Sequence, residues 1–230
     1  MPEIIPAIIP KNYEDLKNKI ALVRGIVLVA QIDICDGIFA KNRTWPFAES
    51  GTDIHFQKIL NEEEGLPFWE DIDFELDLMV ADAVENFDIY TKLGPRSLIF
   101  HLEAVGDLEN FRDFLEGIDV YTRDSIDIGI AINPSTPLQH LLPLIASIEF
   151  IQCMGNDRIS YQGVELDPRV YETIEILRKK YPDIPIAVDI GVNEETAPLL
   201  IKAGATKLSI GSAIFNTDDI IGTIDKFRSL

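Results

Sequence analysis

IVLVAQIDI, residues Ile26–Ile34, is apolar throughout except at Gln31 and Asp33. A near-continuous Ile/Val run of this kind belongs to a parallel strand covered on both faces, where a half-wet strand would alternate apolar with polar residues. Seven further runs of the same character lie at Glu3–Ile9, Ile72–Val80, Ser97–Leu102, Ile126–Ile132, Ile148–Met154, Ile184–Ile190 and Lys207–Ile210. Amphipathic stretches separate them: Tyr13–Val23, Ala83–Leu93, Leu108–Leu115, Leu138–Ala146, Pro168–Lys180, Glu194–Ala203 and Asp218–Phe227, with Asn193 as the expected N-cap of the sixth. Eight βα units in 230 residues predict one α/β domain over 1–230, a closed (β/α)8 TIM barrel; an open doubly wound sheet of this length would have fewer strands. The one irregular connection, Asp36–Asp71, holds Gly37, Pro46, Gly51, Gly65 and Pro67 with a short helical stretch at Ile54–Leu60. It follows the second strand, on the side where a barrel carries its functional loops.

Hydrophobic residues form 47% of the chain and charged residues 26%, enough for a large core. The 39 acidic against 20 basic residues give a net charge of −19, which repels nucleic acid and anionic membranes. Two cysteines, Cys35 and Cys153, make no disulfide framework, and no apolar run reaches the roughly 20 residues of a membrane span. The first ten residues carry no basic stretch followed by a cleavage site, so a reduced cytoplasmic protein is expected.

Acids recur at strand ends: Asp33 and Asp36 after the second run, Asp77 in the third, Asp189 in the seventh. In a barrel those ends share one mouth, so their carboxylates would either hold a cation or raise one another's pKa, and both suit proton abstraction beside a carbonyl. Each Asp read alone is equally a cap of the turn that follows it. Gly191 after the seventh strand, and Gly211 with Ser212 after the eighth, offer backbone N–H groups to a phosphate, or form ordinary tight turns.

These segments resemble the ribulose-phosphate 3-epimerase family. Gln31-Ile-Asp33-Ile-Cys35-Asp36-Gly37-Ile-Phe39 is similar to its His-x-Asp-x-Met-Asp-Gly-x-Phe segment, continued by Asn42-Arg-Thr44. Leu76-Asp77-Leu78-Met79-Val80 resembles its x-His-x-Met-Val, and Phe100-His101-Leu102-Glu103-Ala104 its His-x-Glu-Ala. Asn133-Pro134-Ser135-Thr136-Pro137 resembles Asn-Pro-x-Thr-Pro, Val188-Asp189-Ile190-Gly191-Val192-Asn193 differs from Val-Asp-Gly-Gly-Val-Asn at one glycine, and Gly211-Ser212-Ala213-Ile214-Phe215 matches the closing motif. The resemblance implies a two-aspartate exchange of the C3 proton through a metal-stabilised enediolate, with Asp33 and Asp189 as the acids. It also implies a small phosphorylated sugar as ligand, a phosphate site at Gly163, Gly191, Gly211 and Ser212, and a homo-oligomer.

Departures fall on the site itself. The two metal-binding histidines of the family read Gln31 and Asp77, so the implied shell of Gln31, Asp33, Asp77 and Asp189 is all-oxygen and suits Mg²⁺ or Mn²⁺ more than Zn²⁺. His101 aligns with a non-ligand position, and His55 and His140 lie off the motifs. First-strand serines are replaced by Ala7 and Pro10. The glycine-rich sixth loop reads Gly155-Asn156-Asp157-Arg158-Ile159-Ser160-Tyr161-Gln162-Gly163. Met79 and Met154 are kept as substrate-clamping residues and Cys35 takes the third place, as an apolar filler rather than a nucleophile. Arg158 is a candidate substrate contact or a solvated loop arginine, with Tyr161 and Gln162 similarly placed. The leading expectation is a sugar-phosphate epimerase or isomerase. Aldehyde-lyase or decarboxylase chemistry is disfavoured because Gln31-x-Asp33-x-x-Asp36 holds no lysine. A catalytically silent barrel that binds a phosphorylated ligand or a protein partner is the alternative.

Overall fold

A computed structural model describes residues 1–48, 53–161 and 163–230. Its eight strands pair in parallel, each with the next and β8 with β1, to close a barrel. They are β1 (Glu3–Ile8), β2 (Val29–Cys35), β3 (Asp73–Met79), β4 (Ser97–His101), β5 (Asp127–Ile132), β6 (Phe150–Met154), β7 (Ile186–Asp189) and β8 (Lys207–Ile210). The helices are α1 (Tyr13–Val23), α2 (Ile54–Leu60), α3 (Phe87–Thr91), α4 (Leu108–Gly117), α5 (Val120–Ser125), α6 (Leu138–Leu141), α7 (Arg169–Lys180), α8 (Ala197–Ala203), α9 (Ser212–Phe215) and α10 (Ile220–Arg228). No helix among the described residues is long and apolar enough to cross a membrane.

Strand alternation sorts the apolar residues into two cores. Ala30, Ile32 and Ile34 of β2 face the helices with Leu16 and Ile20 of α1, whereas Cys35, Met79, Ile99, Ala131, Phe150, Met154 and Ala187 fill the barrel interior. Some of the acids work at helix starts. Asp53, Asp107 and Asp219 each accept a backbone N–H of their helix at 2.9 Å, as Asn12 does for α1 at 2.8 Å, contacts typically worth about 1 kcal/mol each.

Several expected boundaries shift for identifiable reasons. β2 begins at Val29, because Gly25 at φ +76° turns the chain and Val27 bridges back to Arg24. The stretch Leu138–Ala146 is α-helical only to Leu141 and continues as a 3₁₀ turn over Leu142–Ser147, since Pro143 has no N–H to give the ladder. Ala83–Leu93 shortens to α3. Asn193 does not cap α8: its side chain accepts from the N–H groups of Glu195 and Thr196, closing a turn before the helix opens at Ala197. α5 and α9 lie outside the amphipathic stretches expected from the sequence. Gly51 and Gln162 lie outside the described residues.

The end of the barrel opposite the functional loops is plugged by a buried ion pair. Lys207 Nζ lies 2.5 Å from Glu75 Oε1 and 4.1 Å from the centre of the Phe150 ring, and Ser97 Oγ donates to Glu75 at 3.3 Å. Gly129 stands opposite because a Cβ there would strike the Phe150 ring. Removing one partner leaves a desolvated charge. Lys207→Ala is therefore expected to cost about 3–5 kcal/mol in urea unfolding, with Lys207→Met plus Glu75→Leu recovering most of it; equal stabilities for Lys207→Ala and wild type would contradict this account.

Candidate active site

Residues two apart on a strand share a face, so Gln31, Asp33 and Cys35 all point into the barrel. Register sets Asp33 beside Asp77 and Cys35 beside Met79 across β2–β3, and Met154 beside Asp189 across β6–β7. Carboxylate oxygens of Asp33, Asp77 and Asp189 lie within 4.8 Å of one another, although the three residues are only 4%, 0% and 7% exposed.

Polar side chains from four strands hold this cluster. Ser209 Oγ donates to Gln31 Oε1 at 2.8 Å, which turns the Gln31 amide nitrogen towards Asp33 Oδ1 at 2.8 Å and Asp189 Oδ2 at 3.3 Å. On the far side Gln152 Nε2 donates to Asp77 Oδ2 at 3.0 Å, and His101 Nε2 lies 2.7 Å from Asp77 Oδ1. Ser209 and Gln152 are not among the residues that the sequence singles out, and His101 enters there only as a non-ligand motif position. The signal was present in the same form that exposed Gln31, a polar side chain inside an Ile-rich run such as IEFIQCM at 148–154.

Burial sets the acidity. Asp33 is held well above the usual carboxylate range by desolvation, then by the charges of Asp189 and Asp77; Asp189 is pushed up to about 7 by desolvation and then by Asp77. Burial alone would lower the His101 pKa, but Asp77, then Glu103 and Asp189, more than offset it and the value is raised. Cys35 is raised by burial, then by Asp33 and Asp77, so it stays a thiol against Met79, 3.9 Å between sulfurs. Asp36 behaves differently. Its carboxylate accepts from the N–H groups of Ile38, Phe39 and Ala81 at 2.7–3.0 Å, so it organises the β2 and β3 loops. Thr44 pins the end of β2, accepting from Cys35 N at 2.8 Å and donating to the Asp33 carbonyl at 2.7 Å.

A cavity of about 290 Å³ is lined by Asp33, Met79 and Asp189 together with Gly163, Gly191, Gly211 and Ser212. Cys35 and Met154 lie in the interior apolar cluster instead. Arg158 is exposed and stacks over Tyr161, 5.5 Å from its ring centre, rather than lining the cavity. The cavity wall beyond Asp189 is tightly built. Gly191, at φ +73°, has room only for hydrogen, since a Cβ would come 2.7 Å from Leu166 N, and one on Gly155 would strike the Ile190 carbonyl. Ile190 is itself left-handed at φ +74°, a β-branched outlier that costs on the order of 1–3 kcal/mol. Its N–H donates to Asp189 Oδ1 at 2.8 Å, and its side chain packs on the interior cluster.

A family model described as "Ribulose-phosphate 3 epimerase family" matches residues 3–215. The chain belongs to the ribulose-phosphate 3-epimerase family. It is 27% identical over 237 residues to ribulose-phosphate 3-epimerase of Bacillus subtilis strain 168, with 99% of each chain covered. To that of Schizosaccharomyces pombe it is 24% identical over 229 residues, covering 99% of this chain and 92% of the relative. Among solved structures, a complex of KGPDC from Streptococcus mutans superposes with a TM-score of 0.70 at 12% identity, covering 99% of this chain and 96% of that one. The 3-hexulose-6-phosphate synthase of Salmonella typhimurium gives 0.68 at 14%, covering 100% and 97%. These likenesses show the TIM-barrel fold.

Raised carboxyl pKa values make stability fall with pH. Between the unfolded value of 3.8 and the folded value of about 7, Asp189 holds a proton in the fold that the unfolded chain releases. Its contribution is full below that window and lost as pH rises through it, and Asp33 acts in the same direction. In chelator, the thermal midpoint is expected to drop from pH 5 to pH 8, and Asp33→Asn to flatten the drop by several degrees; parallel profiles for the two proteins would refute this.

Proposed function

We propose that this family member is a sugar-phosphate 3-epimerase working by proton transfer between Asp33 and Asp189, with a phosphorylated ketose as substrate and the cytoplasm as its setting. The observation that carries the reading is the pair itself: two buried carboxyls bridged by one amide, Gln31, both raised in pKa, lining a cavity that four further residues, Gly163, Gly191, Gly211 and Ser212, also line. A raised pKa near neutrality keeps one acid protonated while its neighbour is ionised, the arrangement that general acid–base exchange needs. The ionised member takes the proton from the carbon beside the carbonyl, the electron pair moves onto the carbonyl oxygen, and the protonated member returns its own proton to the opposite face. The carbon is inverted and the proton has passed from one aspartate to the other.

Asp33, Asp77 and Asp189 fit a divalent cation: three hard oxygen donors converge, and their mutual repulsion is what a cation would relieve. Such an ion, Mg²⁺ or Mn²⁺ rather than Zn²⁺ for this donor set, would supply positive charge where the substrate oxygens become negative. Gln152 and His101 orient Asp77 towards that point from behind. Gly163, Gly191, Gly211 and Ser212 take the phosphate through backbone N–H groups, which suits a chain at −19 with no lysine or arginine among the described residues lining the cavity.

Ribulose 5-phosphate in D₂O, followed by NMR with Mg²⁺, Mn²⁺, Fe²⁺, Zn²⁺ or no metal, tests the reading. Deuterium is expected at C3 together with the inverted pentulose, fastest with Mg²⁺ or Mn²⁺, and Asp33→Asn or Asp189→Asn should each lower the rate by about 10²–10⁴-fold. Failure of exchange under every ion would overturn epimerisation of this substrate.

A further inference from the structure

Ser160, in the loop after β6, is held in an unfavourable state twice over. Its φ of +68° lies in the left-handed region that non-glycine residues seldom adopt. The residue is 2% exposed, yet its Oγ has no hydrogen-bond partner among the described residues, and a buried hydroxyl without a partner weakens the folded state. The backbone is tethered in place, because Asn42 Nδ2 donates to the Ser160 carbonyl at 2.5 Å and ties this loop to the one after β2.

Ser160 lines the same cavity as Asp33, Met79 and Asp189. Two other polar side chains of the lining are already engaged, Ser209 donating to Gln31 and Asn193 accepting from Glu195 and Thr196. Ala7, also on the lining, offers only a methyl. Ser160 thus adds to the lining a fixed hydroxyl with both donor and acceptor capacity unspent, in a cavity that also carries acids suited to a carbonyl-bearing chain and glycines suited to a phosphate.

We infer that the Ser160 hydroxyl is a substrate-binding group, hydrogen-bonded to a hydroxyl on the carbon chain of the phosphorylated sugar. This rests on the function proposed above for the ligand class but not on turnover. Loop strain and an unpaired hydroxyl at one residue are both accounted for when a ligand completes the site.

The test is calorimetric binding of ribitol 5-phosphate, which has the hydroxyl chain but no carbonyl, beside inorganic phosphate, which has neither, to wild type, Ser160→Ala and Ser160→Gly. Both variants are expected to bind ribitol 5-phosphate about 10-fold more weakly and inorganic phosphate unchanged. The glycine variant, free of left-handed strain, guards against a loop that collapses on substitution. Unchanged affinity for ribitol 5-phosphate overturns the inference, as does equal weakening for both ligands or wild type that binds neither. Selective weakening without deuterium exchange at C3 would leave Ser160 as a ligand contact and sink the epimerase reading; exchange with a neutral Ser160→Ala would do the reverse.

Discussion

Asp33, Asp77 and Asp189 bring carboxylate oxygens within 4.8 Å of one another in a nearly dry interior. Three charges so placed repel strongly where water screens them poorly, and the mouth is arranged around that repulsion. Gln31 and Gln152 aim amide N–H groups at the cluster from either side, Ser209 fixes which way the Gln31 amide faces, and the protons that burial drives onto Asp33 and Asp189 remove part of the charge. Acid–base capacity and affinity for a divalent cation are two outlets of the same stress. Which outlet operates depends on what enters the cavity.

The opposite end of the barrel solves a different problem. Lys207 and Glu75 neutralise each other, with Phe150 and Ser97 filling the space around them. Balanced charge at one end and unbalanced like charge at the other separate a stabilising plug from a reactive mouth along the same strands, the division expected of βα barrels.

Most of the barrel was legible because buried parallel strands leave an unmistakable run: β2, β5 and β6 are dominated by apolar side chains, and only their ends moved. Pro143, in the connection after β5, lies inside an amphipathic stretch that periodicity alone reads as one helix, and its missing N–H divides it. Within the site the carboxylates announced themselves, since an acid in such a run has no cheap resting state. Gln152, Ser209 and His101 did not, because a neutral polar group in a strand is usually satisfied by whatever lies nearby. Their partners, Asp77 for two of them and Gln31 for the third, come from other strands and emerge only once register and closure set β2 against β8 and β3 against β6 through the interior. Ser160 was hidden for a further reason: its significance lies in a backbone angle and a missing partner, neither of which has a sequence signature.

Ile190 occupies a backbone state made for glycine, one residue after Asp189. A laboratory selection scored on thermal tolerance alone would be drawn to this position, since a residue without a Cβ relaxes the turn. The same exchange removes a side chain that packs on the apolar cluster beneath the cavity and lets the peptide bearing the Asp189 contact reorient. Relief of backbone strain and packing beneath the cavity therefore pull this one position in opposite directions.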